Sequence, residues 1–121
     1  MELLKRRIEN RLDEIVELRR NLHQYPELAY SENRTAETII EKLENLNDLH
    51  LQKGLAGTGI VATLGGDLRG PCLALRADMD ALPIREKGEK AYKSKIEGRM
   101  HACGHDGHMA CLVGAAMVLS D

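Results

Sequence analysis

The chain has 121 residues and a net charge of −2, enough for one domain and without the basic excess that a nucleic-acid surface needs. Its only aromatics are three tyrosines, so a core must be built from aliphatic side chains and Met. The charged opening MELLKRRIENRLDEI is no secretory signal, the longest apolar run (residues 109–119) falls short of the ~20 residues of a membrane span, and three cysteines without a disulfide pattern suit a reducing, cytoplasmic setting.

Residues 3–24 are predicted to be a helix, because Leu4, Ile8, Leu12, Ile15, Leu18 and Leu22 recur at spacings of three and four. Pro26 ends it, since the residue before a proline is driven out of the helical region. His23, at that helix end, is explained by a favourable dipole interaction. A second helix is expected to start near Ser31 or Asn33, both good N-caps, with Ala36, Ile39, Ile40, Leu43 and Leu46 as its apolar stripe. Two short apolar runs follow, residues 60–64 and 72–77, joined by the turn-like GGDLRGP. They are predicted to be adjacent antiparallel strands, with Cys72 in the second. GLAGTG lacks the Lys-Ser/Thr ending and following helix of a phosphate loop and is assigned to a hairpin or strand entry. REKGEKAYKSKIEG is assigned to a solvated loop, with nothing in the sequence to hold Glu86, Glu89 or Glu97 rigidly. DGHMACLVGAAMVLS is predicted to be a helix starting near Asp106, apolar on nearly every face and therefore buried, with Cys111 as inert core. The expected class is α/β: two amphipathic helices, a small sheet and a buried C-terminal helix.

The chemistry concentrates in GRMHACGHDGHMA, residues 98–110, where His101, Cys103, His105, Asp106 and His108 fall within eight positions. Cys103 and His105 are two apart, a spacing that aligns them on an extended or looped segment but separates them on a helix. Gly104 and Gly107 permit tight backbone geometry there. A thiolate beside an imidazole suits a borderline-soft ion such as zinc. His101 continues the alternation, and His108 falls one turn into the helix. No second ligand pair completes a structural finger, because His23 and His50 are isolated. Asp78 and Asp80, at the end of a predicted strand in LRADMDALP, can ligate a metal or orient a metal-bound His from behind.

LRRNLHQYPELAYSE, GLAGTGIVATLGG, LALRADMDALP and GRMHACGHDGHMACLVGAAMVL stand in order and spacing that resemble the metal-dependent amidohydrolases and carboxypeptidases, in the branch of N-acyl-amino-acid amidohydrolases, hippurate hydrolases and auxin-conjugate hydrolases. The resemblance implies an α/β catalytic domain holding two divalent ions, zinc foremost, with manganese, cobalt or nickel as alternatives. It implies a smaller domain for homodimerisation. Cys103 matches a metal-ligating, bridging thiolate, His105 a metal-ligating imidazole, and Asp80 the carboxylate behind the metal. The implied reaction is hydrolysis of an N-acyl amino acid or peptide amide, with a Glu of a downstream Glu-Glu pair shuttling the proton. No such pair follows Cys103 and no His follows His108. The expectation is therefore that residues 1–121 form the first part of a catalytic domain, inactive alone, without the dimerisation domain. A stand-alone metal-binding module and a non-catalytic docking piece, able to self-associate through the last helix, are the alternatives.

Overall fold

The computed structural model describes the whole chain, Met1–Asp121. Its elements are α1 (Glu2–Gln24), α2 (Asn33–Leu43), β1 (Leu49–Leu55), β2 (Gly59–Leu64) and α3 (His105–Ser120). The chain is α/β as expected, with all three helices close to their predicted bounds. No helix is long and apolar enough to cross a membrane.

Helix α1 ends at Tyr25, whose extended φ of −125° suits the residue before Pro26. The N-cap position of α2 is Glu32, without a side-chain cap bond. Glu27 does that work instead: its carboxylate accepts from Thr35 N at 2.7 Å, Thr35 Oγ1 at 2.8 Å and Arg34 N at 3.2 Å. The expected Ser31 or Asn33 cap is thus replaced by a carboxylate from the preceding loop, which satisfies free N–H groups and complements the helix dipole.

The sheet differs from its prediction. β2 pairs antiparallel with β1, in a register that sets Leu49 against Leu64 and Leu51 against Ala62. The hairpin turns through Ala56 and Gly57, both at positive φ. Residues 72–77 form no strand. They are extended, their backbone makes no hydrogen bond to backbone, and Leu73 is 82 % exposed. A strand requires a neighbour at hydrogen-bonding distance, and no backbone lies beside this segment to pair with it. Only further on is this segment pinned. Ala77 and Met79 pack on the core, Ala81 bridges to Leu28 in parallel, and Leu82 exchanges two 3.0 Å hydrogen bonds with Met100.

The core lies where α1, α2 and α3 meet, at Leu18, Leu22, Ile39, Leu43, Met109, Val113 and Met117, with Leu49, Leu51 and Ile60 of the hairpin against it. Helix α3 lies so close to α1 that a Cβ on Gly114 would sit 2.6 Å from Ile15 Cδ1. Met109, Val113 and Met117 face inward. Cys111, two positions from Met109 and Val113, is turned about 200° from them and is exposed. Its expected core location is therefore incorrect.

Candidate metal centre

The segment before α3 makes a turn closed by Gly104 N to the His101 carbonyl at 3.2 Å, and Gly104 takes φ of 85° as the α3 N-cap. That left-handed conformation favours glycine, and it lets the residues on either side approach one point. The point is Asp80. His105 Nδ1 lies 2.9 Å from the Asp80 carbonyl and 3.1 Å from its carboxylate Oδ1, while Cys103 Sγ donates to the same carbonyl at 3.7 Å. Two acceptors at Nδ1 place the proton there and leave Nε2 with a free lone pair. That is the arrangement that orients an imidazole toward a metal.

The remaining candidates are dispersed. Asp78 pairs with Arg76 in an exposed ion pair. His108 is exposed, its ring 6.0 Å from that of His105. Asp106 points inward and is fully buried. His101 is buried with neither ring nitrogen hydrogen-bonded, and burial holds it below the usual histidine range, against the opposing pull of Asp106. No set of three or more His, Cys, Asp or Glu side chains converges to hold an ion. The donor chemistry nevertheless fits a divalent metal in part: one thiol and one free imidazole nitrogen, adjacent and oriented by one carboxylate residue.

Behind this open side is a buried polar network that sequence reasoning missed. His23 Nδ1 lies 2.6 Å from Asp106 Oδ2, and His23 Nε2 lies 3.1 Å from Glu86 Oε1. Arg19 Nε reaches Asp106 Oδ2 at 2.9 Å. Glu86 also accepts from Ser94 N at 2.7 Å and pairs with Lys90 at 3.2 Å. Burial alone would raise the Glu86 carboxyl; the hydrogen bonds from Ser94, His23 and Lys90 outweigh it and bring the pKa down to about 2. The helix dipole is thus an insufficient account of His23, and Glu86 is firmly held rather than solvated. The available signal was that Arg19 and His23 stand four apart beside the apolar stripe of α1.

Residues 74–121 match peptidase family M20/M25/M40. An N-acyl-L-amino acid amidohydrolase of Geobacillus stearothermophilus is 42% identical over 119 residues, covering 98% of this chain and 32% of the relative. A crystal structure from methicillin-resistant Staphylococcus aureus superposes with a TM-score of 0.92 at 36% identity, over 98% of this chain and 32% of that one. The YXEP protein of Bacillus subtilis, described as a dinuclear metal binding peptidase of family M20, gives 0.82 at 40% identity, over 89% and 30%. Residues 74–121 thus carry the M20 family match, and nearly the whole chain is similar to amidohydrolases and peptidases of that kind. The chain spans about a third of the length of these relatives.

Proposed function

We propose that the chain contributes Cys103 and His105 to a divalent-metal centre of a hydrolase that cleaves the amide of N-acyl amino acids or releases the C-terminal amino acid of a peptide. The convergence of Cys103 and His105 on Asp80 carries this reading. The names of the relatives support the substrate class. A divalent ion held there would supply Lewis acidity toward an amide carbonyl.

The chain's own residues perform three tasks in this proposal. Cys103 provides a soft anionic donor. His105 provides Nε2, because Asp80 engages Nδ1 and fixes the ring. Gly104 holds the two donors side by side. Asp80 is committed to His105, and Glu86 is enclosed by its three partners, so neither is free to move a proton to or from substrate. The base, the other ligands and the dimerisation domain are assigned to residues other than these, with residues 1–121 as part of the catalytic domain. The thiols suit the cytoplasm.

The test measures Co²⁺ binding by its thiolate absorption, together with turnover of N-acetyl and N-benzoyl amino acids in zinc, manganese or cobalt. The 121-residue chain should bind Co²⁺ weakly, lose it to a mild chelator and show no turnover. Cys103→Ala should abolish the absorption, and Cys111→Ala, on the exposed side of α3, should leave it intact. A wild-type chain without the absorption overturns the metal reading. One tightly retained equivalent of zinc identifies a stand-alone metal module instead.

A further inference from the structure

We propose that His23 is a positioning residue for the candidate metal centre, locking the first turn of α3 through Asp106 and the 85–98 loop through Glu86. The proposal rests on the assignment of Cys103 and His105 as ligands.

His23 is 1 % exposed and Asp106 0 %, and they meet across 83 positions of sequence. Both His23 nitrogens face carboxylate oxygens, so the ring is hydrogen-bonded to a different element through each nitrogen. Burying such groups is expensive, and an apolar side chain of similar volume often stabilises a fold as well or better. What the ionic version adds here is direction. A leucine against α3 would fill space at many helix rotations; a 2.6 Å charge-assisted bond to Asp106 Oδ2 permits few.

That direction matters because Asp106 follows His105 in the first turn of α3. Neighbouring helical residues are about 100° apart around the axis. Fixing Asp106 toward His23 therefore fixes where the His105 Cβ points. Asp80 then determines only the ring, through Nδ1. Two independent constraints thus act on one imidazole, one on its backbone and one on its ring. Glu86 extends the lock, because its other oxygen accepts from Ser94 N and Lys95 N donates to the Gln24 carbonyl beside His23. Helix α1, helix α3 and the long loop are tied at one buried point.

His23→Leu separates position from stability. Arg19 still pairs with Asp106, and Lys90 and Ser94 N still serve Glu86, so no carboxylate is stranded. The expected result is a folded chain by circular dichroism and thermal melt. In its metal-free imidazole ¹⁵N spectrum, His105 should move from one Nδ1–H tautomer to a mixture. The Co²⁺ dissociation constant should rise 10–100-fold, the range for residues behind metal ligands. If His23→Leu does not fold, His23→Gln, which keeps a donor toward one carboxylate, is read in the same way, with a smaller shift expected. An unchanged His105 tautomer and unchanged Co²⁺ affinity in a folded variant overturn the positioning role. If the wild type binds no Co²⁺ while the tautomer still shifts, His23 orients His105 and the ligand assignment has failed instead.

Discussion

The two sides of the first turn of α3 are built on opposite principles. Toward Asp80, Cys103 and His105 are half-exposed and share one carbonyl, and His105 keeps a free nitrogen. Toward α1, Asp106 is fully buried and one of its oxygens is engaged by both His23 and Arg19. The open side has unspent bonding capacity and few constraints of its own; the closed side has geometry and little capacity. A site that must receive further groups gains from this division, because what stays open for ligands cannot also supply its own rigidity.

Removing the closed side should have the largest effect. Asp106→Ala leaves His23 facing a cavity and strips Arg19 of its partner, and loss of one member of a buried ion pair costs about 3–5 kcal/mol. Urea denaturation should show a loss of that order, whereas Asp80→Ala, on the half-exposed side, should lose far less. Acid attacks the same side at Glu86. Its folded pKa of about 2 lies below the ordinary value of 4.5, so its contribution is complete above pH 4.5 and is lost as pH falls toward 2. The shift corresponds to about 3 kcal/mol. The stability gap between wild type and Glu86→Gln should be widest above pH 5 and close near pH 2; a gap independent of pH would contradict the depressed pKa.

A smaller effect tests how far the rigidity extends along α3. Gly114→Ala places a methyl against Ile15 Cδ1 at 2.6 Å and Cγ1 at 3.0 Å. Overpacking costs about 1–3 kcal/mol, against roughly 1 kcal/mol gained in helix propensity, so a net loss of about 1 kcal/mol is expected. Ile15→Val removes the clashing Cδ1 and should recover most of it. Recovery by the double variant in thermal melts would establish the contact as the cause.

The same division governs what could be inferred from sequence. The helices were legible because apolar spacing and Pro26 are local signals. Spacing and the permissive Gly104 let Cys103 and His105 be read as neighbours on an extended or looped segment, and both reach the Asp80 carbonyl. β1 was missed because LHLQKGL is mostly polar, with only Leu49 and Leu51 directed toward the core. Residues 72–77 have a strand's composition, but a strand is made by its neighbour and not by composition alone. His23 and Glu86 were misassigned because their partners lie 83 and 63 positions away, and a charge looks solvated until something distant buries it.

Helix α3 is held at three stations: Asp106 in its first turn, Gly114 against Ile15 midway, and Asp121 just past its end, gripped by Arg11 through two nitrogens. A rod of 16 residues, about 24 Å long, supported at both ends and in the middle has little freedom to tilt, slide or spin. Whatever adjustment ligand capture demands must be absorbed upstream of the rod, where Gly98 and Gly104 bracket the Cys103 turn at φ of 72° and 85°. The helix serves as a fixed bearing, and the compliance of the centre is concentrated in the seven residues 98–104 on one side of it.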